Sequence, residues 1–516
     1  MRRLVAVLAI LIAAAITAGC TSGTGTPKAS AKPSPSITPF PLPSGDLPQP
    51  ATLASYYTQH LDWQPCETYF ECSWMVVPVD YTRPDGERFA LPVIKLPAAH
   101  PSERAGSLVI NPGGPGGSGV LYALGARSGE FTQSVLDRFD IVGFDPRAVS
   151  NSYPALRCTT GPELDKIVEA GGFPVKGVQV AALEGAGKMY AQDCEQNAGA
   201  LLPYVGTANA AKDMDILRAA LGQSKLTYLG KSYGTLLGAA YAQQFPSRVR
   251  ALVLDGAVDP SLTGPQLAVE QSEGFENAFG QFTDWCVTRP GCPFGADAAG
   301  AVPAVMTLLD KATAKPLKNR LNDGQEANGP VLMGGISAAL YSKQQWPTLE
   351  NALTQAEGGD GTALVQLLNE EDERLPNGTY TNLSDVATSV DCVDRSWPKS
   401  MSAYAAAANE AAKTAPLFGP AIVWGSVTCA DWPVPSSPVH VKVAGAPPIL
   451  VVGGLHDPAT PYEWAQALTR DVSSGVLLGW NGEGHTSYMQ GSSCVDDAVD
   501  QYLIDLKTPR TGTICG

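Results

Sequence analysis

The stretch LTYLGKSYGTLLGAAYAQQFP, Leu226 to Pro246, changes register in its middle: an extended apolar run stops at Gly230, and helical spacing begins just after Gly234. A strand that feeds a helix within five residues must turn sharply, and glycines at both ends let the two backbones pack closely through that turn. Gly230-Lys231-Ser232-Tyr233-Gly234 is a G-x-S-x-G sequence in the strand–turn–helix setting that would thrust the Ser232 hydroxyl out at the end of a sheet. The amides at the start of the helix would point at anything negative there. An ordinary glycine-rich turn is the bland alternative. Partners for the serine elsewhere in the chain decide between the two.

Working outward, apolar strand-like runs occur at Ser107–Ile110, Phe139–Phe144, Leu226–Leu229, Val249–Leu254, Pro448–Val452 and Gly475–Gly479. Nearly all are continuous rather than alternating, as expected of strands covered by helices on both faces. Between them lie helical stretches such as Asn209–Leu221, with Met214, Leu217 and Leu221 on one face and Gly222 as a stop. This predicts an α/β fold, a mostly parallel sheet with flanking helices, with Trp74–Val79 and Phe89–Leu96 adding an antiparallel meander at one edge. From about Pro260 to Pro433 the alternation stops in favour of helix formers with two cysteine pairs of their own. An insertion between two sheet strands stands over their carboxyl ends, where open α/β sheets bind ligands, so it is expected to be a mainly helical cap. The expected organisation is a signal peptide at 1–19, a tether at 20–50, the first part of the core at 51–260, the cap at 261–433 and the rest of the core at 434–516.

Composition bounds the function. The 516 residues, 44% hydrophobic and 16% charged, can bury a large core, and a net charge of -15 disfavours nucleic acid as a partner. Arg2 and Arg3 precede an apolar run, Leu4–Ile16, and then small residues up to Cys20, as in a secretory signal. The run is too short for a membrane span, which takes about 20 residues. ITAGC resembles a bacterial lipobox, with Thr17 where leucine is usual, so Cys20 is expected to carry a lipid that ties the chain to the outer face of the cell membrane. An ordinary cleaved signal with a stray cysteine is the alternative. The following residues, rich in Ser, Thr, Gly, Pro and Lys, have the composition of a tether. Eleven cysteines, with Cys20 set aside, leave an even number in an exported chain. Sequential pairing is expected: Cys66–Cys72, Cys158–Cys194, Cys286–Cys292, Cys392–Cys429 and Cys494–Cys515, although connectivity does not follow from sequence. No metal site is expected, because no C-x-x-C pair occurs and the five histidines are not at ligand spacing.

A serine hydroxyl is a poor nucleophile until a base takes its proton, and the base needs a carboxylate to orient it. On a sheet of this kind the order is serine, acid, histidine. His485, in NGEGHTSY, directly follows the last long strand, and Asp457, in VVGGLHDPATP, follows the one before. His456 precedes that acid and is read as a neighbour. Asp259 is the competing acid. Thr460-Pro461-Tyr462-Glu463 reads as a capping box, with Thr460 as a helix cap that rigidifies the acid's loop. Donors for a developing oxyanion are expected from the N–H of Tyr233 and from the loop INPGGPGGSG, with Gly114 favoured and Gly113 next. A dinucleotide loop is disfavoured there, since the G-x-G-x-x-G order and an acidic ribose partner are missing.

SLVINPGGPGGSG, FDIVGFDPRAVSNS, YLGKSYGTLLGAAYAQQFP, VRALVLDGAVDP, CVD, WP, HDPATPYEWA and GHTSY…SSC together resemble the secreted tripeptidyl aminopeptidases of the α/β-hydrolase class, relatives of prolyl aminopeptidases. The resemblance covers nearly all of the chain from about Trp63. It implies that Ser232, Asp457 and His485 are the catalytic triad and that Cys494 belongs to the family's C-terminal region. It further implies that short peptides are cut from the free N-termini of peptides or proteins through an acyl-enzyme, without a cofactor. Lys231 departs from the family, whose members often carry an uncharged residue there, and is expected at the rim of the site. A free N-terminal ammonium has to be recognised by carboxylates or carbonyls, and Glu270, Glu273 and Glu276 share a helix face at the start of the cap. Glu273 and Glu276 are the candidates, with a solvated acidic face as the alternative. A carboxylesterase or lipase would share the whole catalytic core, and a non-catalytic surface-binding lipoprotein would need the triad to be accidental.

Overall fold

The computed structural model describes residues 48–170 and 177–516, so the expected leader, Cys20 and nearly all of the tether lie outside the described residues. Among the described residues ten strands form one sheet: β1 (Gln64–Cys66), β2 (Phe70–Pro78), β3 (Arg88–Leu96), β4 (Gly106–Asn111), β5 (Phe139–Phe144), β6 (Leu226–Lys231), β7 (Val249–Asp255), β8 (Ile449–His456), β9 (Gly475–Glu483) and β10 (Thr513–Cys515). Their order is β1-β2-β3-β5-β4-β6-β7-β8-β9-β10. From β5 to β10 every pairing is parallel, and β1, β2 and β3 form an antiparallel edge that meets β5. This is the expected parallel sheet with its meander. β4, β5 and β6 are buried along their whole length, which is why their sequences run apolar without alternation. The sequence does not announce β1 and β10, each three residues long. Both lie at cysteines, β1 bonded to β2 through Cys66–Cys72 and β10 held through Cys494–Cys515. All five disulfides follow the sequential pairing.

Because β5 lies outside β4, the loop after β4 stands beside the turn after β6, with Asn111 opposite Gly230 in the register. The helix Tyr233–Gln244 then returns against the sheet at a distance only glycine permits. A Cβ on Gly230 would lie 2.4 Å from the Gly234 carbonyl oxygen, and one on Gly238 would lie 2.6 Å from Leu254 Cδ2.

Between β7 and β8 the described residues are helical, from Gly264–Cys286 through Ala301–Ala314, Gly329–Leu340, Trp346–Glu357, Thr362–Glu371, Leu383–Asp394 and Met401–Ala411 to Gly419–Gly425. They have an apolar core of their own, including Phe279, Phe282, Leu332, Ile336, Leu349 and Leu364. A second excursion joins them. The helices Gly161–Ala170 and Gly177–Ala198 come from the stretch assigned to the first part of the core, yet they pack on the cap. Gly161 presses on Gly378, Gly187 on Thr428, and Arg374 makes a two-pronged pair with Asp165 at 2.8 and 2.9 Å. Periodicity reveals an amphipathic face but not what that face meets.

The loop after β5 is fixed by Arg147, whose side chain is 1% exposed and which grips Asp213 through Nε and Nη2 at 2.7 and 2.5 Å. Its guanidinium also donates to the carbonyls of Val79, Tyr204 and Pro78, so every face of the cation is met. Asp213→Asn would leave that cation buried without its counter-charge, and we expect a loss of about 3 kcal/mol in unfolding free energy, measured by urea denaturation.

Candidate active site

Ser232 sits at the corner between β6 and its helix with φ 55° and ψ -126°, a conformation that L-residues rarely adopt and that costs on the order of 1–3 kcal/mol. Several contacts hold it there. The Ser232 N–H donates to the Asp255 carbonyl at 2.9 Å, and the Ser232 carbonyl accepts from the Thr235 N–H and hydroxyl at 2.8 and 2.6 Å. Tyr228 donates its hydroxyl to the Gly234 carbonyl at 2.8 Å. The side chain of Ser232 stays partly exposed.

Asp457 follows β8, and its carboxylate is fully buried and fully engaged. Oδ1 accepts the N–H groups of Ala459 and Thr460, both at 2.9 Å, while Oδ2 accepts the Thr486 N–H and the Thr460 hydroxyl, both at 3.0 Å. His485 follows β9, and its Nδ1 lies 2.8 Å from Oδ1 and 3.0 Å from Oδ2 of the same carboxylate. A carboxylate can only accept, so Nδ1 carries the proton and Nε2 is left with its lone pair. Burial alone would lower the His485 pKa, but the charge and hydrogen bond of Asp457 outweigh it, with Asp255 and Glu371 adding, and the imidazole is held above its ordinary value. No hydrogen bond joins Ser232 Oγ to His485 in this structure. The ring nevertheless stands over the serine's turn: a Cβ on Gly256, the residue after the one that holds the Ser232 amide, would lie 3.2 Å from His485 Cε1.

The competing residues are occupied elsewhere. Asp259 accepts the N–H and hydroxyl of Ser261 at 2.8 and 2.6 Å and has no bond to His485. His456 faces Asn481. Thr460 departs from its expected role, because the helix begins at Tyr462 behind Pro461 and no side chain caps it. The Thr460 hydroxyl turns instead to Asp457 and stands 3.4 Å from His485 Nδ1. A full carboxylate charge outcompetes a helix's orphan amides for that hydroxyl.

Gly113 is corrected as an oxyanion donor. Its N–H already donates to Asn111 Oδ1 at 3.0 Å. The residue has a spacing role: with φ 101° it leaves no room for a Cβ, which would lie 2.8 Å from Ser232 Cβ. Among the described residues the N–H groups of Gly114 and Tyr233 have no acceptor. Lys231 is likewise not at the rim. Its side chain is only 10% exposed, with Nζ 3.8 Å from Glu130 Oε2 and 5.5 Å from the centre of the Tyr122 ring.

The expected ammonium candidates do share a helix face, but that face is bonded to neighbours. Glu270 accepts the Trp464 indole N–H at 2.6 Å, Glu273 the Thr414 hydroxyl at 2.7 Å, and Glu276 the N–H groups of Leu417 and Phe418 at 3.0 and 3.2 Å. They fasten the helix Gly264–Cys286 through one oxygen of each carboxylate. Two others, absent from the sequence reading, lie together, and the charge of one of them, Glu371, reaches the histidine. Helices Gly329–Leu340 and Thr362–Glu371 run side by side in one direction, with Leu332 against Gly361 and Leu364 against Gly335, so their carboxyl ends fall together. At the first end Tyr341 accepts the His485 N–H at 2.8 Å and sets its ring edge-on to the imidazole at 5.4 Å. At the second are Glu371, exposed, and Asp372, half-buried, neither with a side-chain hydrogen bond among the described residues. Desolvation raises the Glu371 carboxyl against the pull of His485, and desolvation together with Glu371's charge holds Asp372 up at about 7. No spacing in the sequence links residue 371 to residue 485.

Among the described residues no group of His, Cys, Asp and Glu is gathered so as to hold a metal ion. The arrangement can deprotonate a serine hydroxyl and receive an oxyanion, which is acyl-transfer chemistry.

Residues 415–515 match a family described as TAP-like protein. The chain is 38% identical over 479 residues to "Serine protease Hip1" of Mycobacterium tuberculosis, covering 89% of this chain and 91% of that protein. It is 36% identical over 451 residues to "Carboxylesterase B" of the same species, covering 86% of each. It is 32% identical over 470 residues to "Tripeptidyl aminopeptidase" of Streptomyces lividans, covering 88% of this chain and 86% of that protein.

A fluorophosphonate probe, which phosphonylates activated serines, should label the protein at Ser232 and leave Ser232→Ala unlabelled. Asp457→Asn should slow labelling on the order of 10³-fold while Asp259→Asn leaves it within about twofold, measured by mass spectrometry of the intact protein. The rate should fall as pH drops through the raised His485 pKa, because only neutral Nε2 accepts the serine's proton.

Proposed function

The chain belongs to the TAP-like family of α/β-hydrolase serine peptidases, and from that premise we propose that it is an exported aminopeptidase releasing short peptides, tripeptides in the first instance, from free N-termini. Its carrying observation is the hydrogen-bonded pair of Asp457 and His485 over the strained Ser232 corner, with the cap carboxylate Glu371 acting on the same imidazole. In this mechanism Ser232 Oγ attacks the scissile carbonyl while His485 Nε2 takes its proton. The N–H groups of Tyr233 and Gly114 receive the oxyanion, each worth about 3 kcal/mol. His485 then returns the proton to the leaving amine, and water hydrolyses the acyl-enzyme by the same exchange in reverse. Asp457 and Thr460 keep the proton on Nδ1 throughout. The substrate's ammonium is met by Glu371, with Asp372 beside it, and the arriving cation favours the ionised form of both carboxyls. A lipid on Cys20 holds the enzyme to the outer face of the cell membrane.

The relative named Carboxylesterase B favours a second reading, an esterase on the same catalytic core. Amine recognition separates the two. Purified protein should cleave free tripeptide amides at least ~100-fold faster in kcat/KM than their N-acetylated forms, since acetylation removes the charge and adds bulk. Glu371→Gln should raise KM about tenfold for free peptides and leave KM for small acyl esters within about twofold, because esters carry no ammonium. Equal cleavage of free and acetylated peptides would exclude the exopeptidase and leave an endopeptidase or esterase. Separately, Cys20→Ser should move the protein from the membrane fraction into the medium, followed by immunoblotting of both fractions.

A further inference from the structure

Lys231 and Asp255 are register partners at the ends of β6 and β7, so their side chains leave the sheet on the same face. Asp255 is wholly buried, and Lys231 nearly so. Asp255 joins two halves of the site. Its carbonyl accepts the Ser232 N–H at 2.9 Å, and its carboxylate accepts the Ser487 N–H at 2.9 and 3.1 Å and the Tyr488 N–H at 2.9 Å. The segment that carries His485 is thereby moored to the residue that positions the nucleophile.

We propose that Lys231 is a positioning residue: it is the counter-ion that keeps Asp255 ionised, so that the carboxylate can hold both amides and keep His485 over Ser232. This rests on the serine-hydrolase reading above. A buried carboxylate without a cation takes up a proton at the cost of its role as a double acceptor. Once protonated, one oxygen becomes a donor, and the two amides no longer share a full set of acceptors. The surrounding charges fit this assignment. Burial raises the Asp255 carboxyl, with Asp457 adding, while Lys231 and the Tyr488 and Ser487 amides act against the rise. Around Lys231, burial disfavours the charged ammonium while Asp255 and Glu130 favour it, the neutral Tyr122 ring lies 5.5 Å away, and the charge of Lys231 reaches Asp496 on the helix Ser493–Asp505. The close ion pair of Lys231, at 3.8 Å, is with Glu130, which is 37% exposed on its side chain and screened by water, so Asp255, the wholly buried register partner of Lys231, is the carboxylate with the most to gain from the cation.

The test is the acid limb of the pH–rate profile for a small ester, with Ser232 labelling of the wild type as a parallel readout. Wild type should lose activity through one proton, on His485. Lys231→Met should lose it through two, falling at least about tenfold below wild type near pH 6 and recovering to within about twofold near pH 9, where Asp255 ionises again. Lys231→Gln, which keeps length and a polar tip, carries the same expectation if the Met variant does not fold, and Lys231→Arg should restore the one-proton limb. A Met or Gln variant whose profile keeps the wild-type shape, scaled by one factor at every pH, would overturn the proposal and leave Lys231 a packing residue. A wild type that does not label at Ser232 would instead overturn the catalytic reading, and the positioning role with it.

Discussion

Everything at the site depends on one strained corner. Ser232 is held at φ 55° in a place where an L-residue costs free energy, and it persists because its neighbours over-determine it. The amide is tied to β7, the carbonyl to Thr235, and the two flanking glycines let the strand and helix close on each other. The order of the strands serves the same corner. With β5 displaced outward, β4 lies against β6 and delivers the Asn111–Gly114 loop to the serine. A helix returning any farther from the sheet would not bring the Tyr233 amide beside that loop.

What could be read from the sequence follows from how locally each feature is determined. β5 spans Phe139–Phe144 in both readings because a strand buried on two faces writes a continuous apolar run. Ser232, Asp457 and His485 were legible because each directly follows a strand, where position along the chain almost fixes position in space. Lys231 was not legible: lysine is rarely buried unless paired, and the carboxylate nearest it, Glu130, comes from a distant part of the chain, outside any local pattern. Thr460 satisfied a capping signature in full, yet its hydroxyl chose a carboxylate that only the tertiary fold brings near. The glutamates of Gly264–Cys286 were placed on the right face of a real helix. Their bonds to Trp464, Thr414 and the amides of Leu417 and Phe418 lie beyond what helical spacing encodes.

The cap shows the same limit at a larger scale. Its insertion between β7 and β8 could be read from the break in alternation, but the contribution of Gly161–Ala170 and Gly177–Ala198 could not. Those helices are joined to it by close glycine contacts and by the Arg374–Asp165 pair, features that depend on where two distant segments meet. A cap assembled from two excursions is anchored to the core at four chain crossings rather than two. Within it, Tyr341 is held against His485 by a backbone hydrogen bond.

The charges around His485 carry a consequence for the chemistry. Asp457, Asp255 and Glu371 all stabilise the imidazolium, while Lys231, the buried cation beside Ser232, faces Asp255. A negative field favours the protonated histidine that forms as the serine attacks, which lowers the barrier. The same field raises the pH at which the resting histidine becomes the neutral base the attack requires. The two effects oppose each other at acid pH and agree once the ring has lost its proton. A field of this sign would also draw in a cationic substrate group. An arriving ammonium near Glu371 would cancel part of that potential, freeing the base at acid pH while withdrawing some of the support for the imidazolium formed in the attack.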